Sequence, residues 1–150
     1  MRSPLLVVAC ALAMPAMAQE DRLPFTEADH RWQHRLVYLF APSDSLGAFA
    51  ETVHRFREQQ SGVAERDGIL LALPQAGSPR WLGAGLLEPD VGPAMRRRYE
   101  IVEEDAVLVL VGKDGTEKAR YALPANPEDV FARIDTMPMR QREMRQRDDG

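Results

Sequence analysis

The sequence predicts an α/β domain in which a mostly buried β-sheet lies between two layers of helices. Three observations favour this class. A chain of 150 residues suits a single domain. Three continuous apolar segments, 35–41, 69–73 and 106–111, have the length of strands covered on both faces. The segments between them carry apolar residues at helical spacing, so helices are expected to cover the sheet.

The amino terminus has the layout of a secretory signal peptide over residues 1–18. An apolar run follows Arg2, and small residues precede a cleavage point at Ala18-Gln19. We therefore expect a periplasmic or secreted protein whose single domain spans residues 19–150. The apolar run is shorter than the about 20 residues that a membrane span needs, so no transmembrane anchor is expected.

The chain has one cysteine, Cys10, and it lies inside this leader. Cleavage after Ala18 would leave a mature chain without a thiol, a disulfide or a thiolate metal ligand. Val7-Val8-Ala9-Cys10 also looks like a lipobox, in which Cys10 is lipidated and becomes the first mature residue. The intact mass of the mature protein distinguishes these alternatives.

The first elements of the domain are predicted to be a short helix, a strand and a longer helix. Residues 22–34 suit a helix capped by Thr26, with an inner face formed by Phe25, Ala28 and Trp32. The strand at 35–41 ends at Pro42. A helix over 44–60 follows, with Ser43 or Asp44 as its cap, Gly62 as its stop and an apolar face of Leu46, Phe49, Ala50, Val53 and Phe56.

The middle of the chain is predicted to be a buried strand, a long loop and a helix. The strand at 69–73 ends at Pro74, and the proline-rich and glycine-rich stretch 74–93 suits a loop with one helical turn at Ser78-Pro79. A helix starting at Pro93 would bury Val91, Met95, Tyr99 and Val102. The run 96–98 is three arginines, and it covers most of a helical turn, so at least one of them must lie near the sheet.

The last part is predicted to be a hairpin and a helix. The strand at 106–111 leads through an Asp-Gly turn at 112–115 into an alternating edge strand at 116–123. The final helix has Asn126 as cap and an inner face of Val130, Phe131, Ile134 and Met137. The charged tail at 138–150 is expected to fray.

This order of elements describes a thioredoxin-like three-layer α/β sandwich. It contains about four strands in a mixed sheet, two strand-helix-strand crossovers and an antiparallel edge hairpin.

The sequence also resembles a known family, the bacterial DUF4174 proteins. Their domain is similar to modules of sushi-repeat-containing extracellular proteins and is described as peroxiredoxin-like. The resemblance implies a thioredoxin-like fold and an exported location, and it supplies no catalytic residue. It is carried by Trp32, Arg35, Leu39-Phe40-Ala41-Pro42, Glu65-Arg66-Asp67, Gly112-Lys113-Asp114-Gly115, Lys118, Arg120, Ile134-Asp135 and Met137-Pro138-Met139-Arg140.

The loop after the first strand, where thioredoxin-like enzymes carry their cysteine, has serine instead. Serine stays protonated at neutral pH and forms no disulfide, so thiol redox catalysis is not expected. A nucleophilic Ser43 would need a positioned base, and His54 lies about three helical turns away. Ser43 and Asp44 can cap the next helix. Alternatively, the loop with Ser43, Asp44 and Ser45 can bind an anion or a partner's carboxylate at the strand ends.

Two further clusters have both a structural and a functional interpretation. Arg66, Asp67 and Arg140 can form an ion-pair clamp with Glu65, or they can bind a ligand. Glu27, His30 and His34 would share a solvent-facing side of the first helix, which suits either a solvated face or a weak metal site. We therefore predict no catalytic residue, no cofactor and no metal site.

The leading hypothesis is a binding module without redox cysteines, whose partner is an unknown protein or small ligand. Nucleic acid is excluded as a partner because a formal net charge of −4 does not provide the basic surface that phosphates need. The alternatives are an enzyme that uses Asp44, Arg66 and Asp67, or a metal-binding protein that uses His30 and His34.

Overall fold

The computed structural model describes residues 21–150, so the predicted leader, its cleavage point and Cys10 lie outside the described residues. The sheet has six strands in the order β4-β3-β2-β1-β5-β6. The strands are β1 (Arg35–Ser43), β2 (Gly68–Ala76), β3 (Arg80–Trp81), β4 (Gly85–Leu86), β5 (Val107–Val111) and β6 (Glu117–Ala122). The α-helices are α1 (Gly47–Glu58), α2 (Gln60–Glu65), α3 (Val91–Arg98), α4 (Pro127–Asp135) and α5 (Pro138–Asp148), and a 3-10 helix spans Glu27–His30.

Strand β1 lies at the centre of the sheet, and its alternate side chains enter two separate cores. Leu36, Tyr38 and Phe40 join the core under α3, whereas Val37 and Leu39 join the core under α1 and α4. Because helices cover both faces, an unbroken apolar sequence is what this position requires. The predicted three-layer sandwich is therefore confirmed, with the four predicted strands as β1, β2, β5 and β6 and two short strands added.

The second predicted crossover is wrong, because β5 runs antiparallel to β1 while only β1 and β2 are parallel. Helix α3 has eight residues and is about 12 Å long, which is too short to return the chain across the sheet. The guanidinium of Arg96 donates to the carbonyl oxygens of Ala41 (2.7 Å) and Leu73 (3.3 Å). This contact holds α3 at the carboxyl ends of β1 and β2, so β5 starts there and runs back.

The stretch between β2 and α3 is a hairpin and not a loop with a helical turn. Strand β3 pairs with β2, strand β4 pairs with β3, and no helix forms at Ser78-Pro79. Trp81 packs edge-on against Phe25 at 6.2 Å between ring centres, and Leu87 is buried. These apolar contacts attach the hairpin to the sheet.

The predicted helix over 22–34 is also wrong, since only one 3-10 turn forms. The hydroxyl of Thr26 bonds the Asp29 carboxylate and makes no cap bond to the backbone. Trp32 is 62% exposed rather than inward, and its backbone is left-handed at φ 67°. Its N–H donates to the carbonyl oxygen of Lys113 at 2.6 Å, which joins this segment to the β5-β6 turn and ends the helix.

Neither Ser43 nor Asp44 caps α1, which corrects the sequence interpretation. Ser43 belongs to β1, and the N–H of Asp44 continues the ladder by donating to Ala76 at 3.0 Å. The helix begins at Gly47 with Leu46 at the cap position and no side-chain cap bond. Gly62, the predicted stop, lies inside α2.

The carboxy-terminal tail does not fray but forms α5, because Arg140 docks it onto the domain with 1% of its surface exposed. The inner face predicted for the last helix is present, with Val130, Ile134 and Met137 buried and Phe131 partly buried against the same core. Val102, predicted to face inward, is 56% exposed because α3 ends at Arg98. None of the helices within residues 21–150 is both long enough and apolar enough to cross a membrane.

Candidate binding site

The residues predicted to bind a partner lie at opposite ends of β1. Ser43 is the last residue of this nine-residue strand, which spans about 26 Å. Asp67 lies beside its first residue, since the N–H of Arg35 donates to the carbonyl oxygen of Asp67 at 2.9 Å. Arg66 and Arg140 share that end. The structure therefore forms two separate groups and not one site.

At the carboxyl end, the serine hydroxyls bond each other. Ser43 Oγ lies 2.8 Å from Ser45 Oγ and accepts from the Ser45 N–H at 3.2 Å. His54 pairs with Glu58 at 3.3 Å, so it does not activate Ser43. Asp44 is exposed and lines a cavity of about 200 Å³ together with His54. This end offers polar groups to a ligand but no arrangement for nucleophilic catalysis.

At the amino end, Asp135 lies between two arginines. It accepts from Arg66 Nε and Nη2 (3.0 and 2.8 Å) and from Arg140 Nε at 3.0 Å. Arg140 Nη2 also donates to Glu65 at 2.9 Å. Burial opposes ionisation of Asp135, but the two guanidiniums outweigh it and lower its pKa. The predicted ion-pair clamp between the turn before β2 and the carboxy-terminal segment is present.

A second ion-pair group, which the sequence analysis missed, adjoins this clamp. Lys113 Nζ donates to Asp67 at 2.8 Å and to Glu143 at 2.7 Å. The buried Arg35 donates to the same Glu143 carboxylate at 3.1 and 3.2 Å. Burial opposes ionisation of Asp67 and Glu143, yet these cations lower the pKa of both carboxyls. Arg35 and Glu143 are 108 positions apart, so no local pattern could pair them.

The three residues proposed for enzyme chemistry do not converge. Asp44 lies at the carboxyl end of β1, whereas Arg66 and Asp67 lie at the amino end. Arg66 is bound to Asp135 and Asp67 is bound to Lys113. This trio cannot act together on one substrate.

The prediction that Glu27, His30 and His34 share a solvent-facing side of the first helix is also wrong. Glu27 is largely covered and accepts hydrogen bonds from Tyr38 (2.7 Å) and Tyr99. Burial, and after it these hydrogen bonds, raise the pKa of both tyrosines. His30 stacks on Phe25 at 5.0 Å between ring centres. Burial lowers the pKa of His30, as does the neighbouring histidine, His34. Within the part of the chain that the structure describes, no three His, Cys, Asp or Glu side chains are grouped to hold a metal.

The largest of the cavities described lies beside the second ion-pair group and has a volume of about 330 Å³. We call it the Trp32 pocket. It lies between the start of β1, the β5-β6 turn and the α4-α5 junction. Its lining residues are Trp32, Arg35, Gly112, Lys113, Asp114, Lys118, Arg133, Met137, Pro138 and Met139.

Apolar side chains and cations form the Trp32 pocket together. Met137, Pro138 and Met139 contribute apolar surface opposite the exposed indole of Trp32. Of the lining residues that the structure describes, four are basic and only Asp114 is acidic. The pKa of Asp114 falls to about 2, since hydrogen bonds from Lys118 and Thr116 outweigh its burial.

Arg133 is the one basic lining residue that forms no ion pair within residues 21–150. Lys118 pairs with Asp114 at 2.8 Å, whereas Lys113 and Arg35 pair with Glu143. The Arg133 guanidinium donates only to the Thr136 hydroxyl (3.3 Å) and to the Lys118 carbonyl oxygen (3.5 Å). The pocket therefore carries an uncompensated positive charge next to apolar surface.

Every lining residue of the Trp32 pocket except Arg133 is one that carries the family resemblance. These residues come from three separate parts of the sequence, and the fold brings them to one place. The residues that carry the family resemblance could have pointed to this site from the sequence. They gave no indication, however, that the three parts of the chain meet in the fold.

Comparisons with known proteins support the fold and leave the activity open. A family model described as a domain of unknown function, DUF4174, matches residues 27–143. Coiled-coil domain-containing protein 80 of Danio rerio is 28% identical over 131 residues, which cover 76% of this chain and 15% of that protein. Sushi repeat-containing protein SRPX2 of Xenopus laevis is 26% identical over 117 residues, which cover 76% of this chain and 25% of that protein. The chain thus spans a quarter or less of these relatives.

Among solved structures, the chain is similar to peroxiredoxins. Thioredoxin peroxidase I of Plasmodium yoelii superimposes with a TM-score of 0.57 at 14% identity, covering 77% of this chain and 79% of that one. The reduced 2-Cys peroxiredoxin of Plasmodium vivax gives a TM-score of 0.59 at 10% identity, and the superposition covers 77% of this chain and 71% of that one. At such identities the similarity shows a thioredoxin-like fold and nothing about chemistry.

Proposed function

The chain belongs to the DUF4174 family, whose domain has no assigned function, and on that premise we propose an exported, thiol-independent binding domain whose ligand occupies the Trp32 pocket. The only cysteine of the sequence, Cys10, precedes the domain. Thiol chemistry needs a thiolate at the reacting site, and the loop after β1 has none. The fold therefore acts as a scaffold for binding.

The exposed Trp32 is the observation that carries this proposal. A non-glycine residue in left-handed backbone costs about 1–2 kcal/mol, and such residues cluster at ligand sites. Here the strain places a large aromatic side chain in water, 62% exposed, beside the largest cavity described. Covering an exposed indole on binding contributes apolar burial, so tryptophans are frequent anchors at binding surfaces.

The chemistry of the pocket defines the ligand class. Met137 and Met139 offer apolar and adaptable surface, and Arg133 offers a guanidinium that no carboxylate of the described chain neutralises. A ligand with an acidic group next to an apolar group satisfies both features. It can be a small molecule or a segment of a partner protein.

Dye binding tests the proposal, with 8-anilinonaphthalene-1-sulfonate as the probe because it joins aromatic rings to an anion. We expect saturable binding with energy transfer from tryptophan, and at least tenfold weaker binding in Trp32→Ala and in Arg133→Gln. Val102→Ala is the matched control, since Val102 is an exposed apolar residue outside the pocket. Unchanged binding by Trp32→Ala would show that the ligand site lies elsewhere.

Export is tested separately by the intact mass of the protein recovered from the periplasm or the medium. A chain beginning at Gln19 supports export after cleavage of the leader. A diacylglyceryl group on Cys10 would support the lipoprotein alternative, and an uncleaved cytoplasmic chain would refute export.

A further inference from the structure

A second cavity, of about 270 Å³, lies between the last turn of α1 and the β3-β4 hairpin. Its lining is Arg57 together with Arg80, Trp81, Leu82, Gly83, Ala84, Gly85 and Leu86. Among the described residues that line it, the two arginines are the only charged ones, so the net charge of this lining is positive. The cavity lies at the β4 edge of the sheet, whereas the Trp32 pocket lies at the β5-β6 edge.

Neither arginine has a partner within residues 21–150. No ion pair or side-chain hydrogen bond involves Arg57 or Arg80, and the Nε of Arg80 is buried with nothing to accept its proton. Buried donors in folded proteins are almost always paired. Arg96 donates to the carbonyl oxygens of the strand ends, and Arg140 donates to Asp135 and Glu65. The Nε of the buried Arg35 also lacks an acceptor, but both of its Nη atoms are bound. Arg80 differs from these three arginines because none of its guanidinium nitrogens has a partner among the described residues, so its charge, like that of Arg57, is not neutralised there.

The surroundings favour an anion on the hairpin side of the two arginines. On their other side, the cavity of about 200 Å³ contains Asp44, whose carboxylate would repel an anion. On the hairpin side, no carboxylate of residues 21–150 lines the cavity. Gly83 has φ +92°, and a Cβ there would lie 2.6 Å from the Gln60 amide nitrogen. This close approach keeps the hairpin tip against the start of α2.

We infer that this cleft, formed by Arg57, Arg80 and the β3-β4 hairpin, binds a phosphate group, either as the free ion or in a monoester. Two planar guanidiniums on different elements can each donate two parallel hydrogen bonds to separate oxygens of one tetrahedral group. Trp81 and Leu82 add apolar surface for the substituent of a monoester.

Isothermal titration calorimetry with inorganic phosphate, phenyl phosphate and benzoate at constant ionic strength tests this site on the full mature chain. We expect saturable binding of phosphate or phenyl phosphate in the millimolar range or tighter, and at least tenfold weaker binding of benzoate. Tighter binding of phenyl phosphate would identify a monoester, and equal affinities would identify the free ion. Arg57→Gln should weaken phosphate binding at least tenfold and should fold normally, because Arg57 is exposed.

Arg80→Gln should have the same effect, and Arg145→Gln, at an exposed position of α5, is the matched control. Absence of saturable phosphate binding, equal binding of benzoate, or unchanged binding by Arg57→Gln would each overturn the inference. The dye assay for the Trp32 pocket should be unaffected by Arg57→Gln, so failure of one site can be distinguished from failure of the other.

Discussion

Replacing Arg140 with methionine tests whether the carboxy-terminal helix is part of the folded domain. Arg140 is 1% exposed and donates to Asp135 (3.0 Å), to the Glu65 carboxylate (2.9 Å) and to the Glu65 carbonyl oxygen (3.2 Å). Methionine preserves an apolar stem of similar length and removes these bonds.

Arg140→Met should lower the free energy of unfolding by less than the roughly 3–5 kcal/mol that is typical of breaking a fully buried ion pair. Asp135 keeps both hydrogen bonds from Arg66, and Glu65 is 55% exposed and returns to water. The loss that remains is one charge-assisted hydrogen bond at about 1.5–3 kcal/mol and part of the bond to the carbonyl oxygen. We therefore expect the free energy of unfolding to fall by about 2–3 kcal/mol, and the melting temperature by about 10 °C.

Urea unfolding followed by far-ultraviolet circular dichroism measures this loss. Arg145→Met, on the same helix but exposed, is the control and should stay within about 0.5 kcal/mol of the parent chain. If both variants unfold at the same urea concentration, Arg140 does not dock α5 and the predicted frayed tail would be restored.

Three further predictions test the ion pairs, a buried hydrogen bond and the hairpin turn. Glu143→Gln should lower the free energy of unfolding by about 1–2 kcal/mol at pH 7. Because the pKa of Glu143 in the folded chain lies below its unfolded value of about 4.3, this stabilisation is complete above about pH 5 and is lost as the pH falls through the folded pKa. Urea midpoints at pH 7, 5 and 3 should show the difference shrinking with acid, and a constant difference would contradict the ion-pair origin. Thr52→Val should lower the free energy of unfolding by about 1–3 kcal/mol, because the buried N–H of Ala125 loses its acceptor, the Thr52 hydroxyl, at 3.1 Å. Thr52→Ser should lower it less, and equal melting temperatures of the two variants would refute this reasoning. Gly115→Ala should lower the free energy of unfolding by about 1–2 kcal/mol, because alanine would have to adopt φ +79° in the turn. Gly47→Ala is the control and should leave the melting temperature unchanged, since a Cβ there meets open space.

The positions of the four longer strands could be predicted because each has its own local sequence pattern, whereas the two short strands and the direction of β5 could not. The central strands contain apolar runs, such as Val107–Val111, and that pattern is typical of a strand covered on both faces. The final helix was predictable for a similar reason, since Val130 and Ile134 recur at helical spacing and are both buried.

The predictions of secondary structure were wrong where a contact between residues distant in sequence overrides the conformation that the local sequence favours. Trp32 suits a helical inner face by its spacing, but the bond from its N–H to Lys113 turns the chain and exposes the indole. The charged tail has no apolar face of its own, so it suggests fraying until Arg140 meets Asp135 and Glu65. Such contacts have no periodicity along the chain from which they could be inferred.

The sequence by itself determined the fold class, the buried strands and the lack of a cysteine in the domain, because these depend on composition and on spacing within one segment. Only the tertiary structure decided that β5 runs against β1, that the serine loop and the arginine clamp lie at opposite ends of the sheet, and that Trp32 and Arg133 line one pocket. The physical reason is that pairing direction and charge pairing are set by short-range forces between groups that are distant in sequence. Those groups are neighbours only in the packed fold, which hydrophobic burial stabilises.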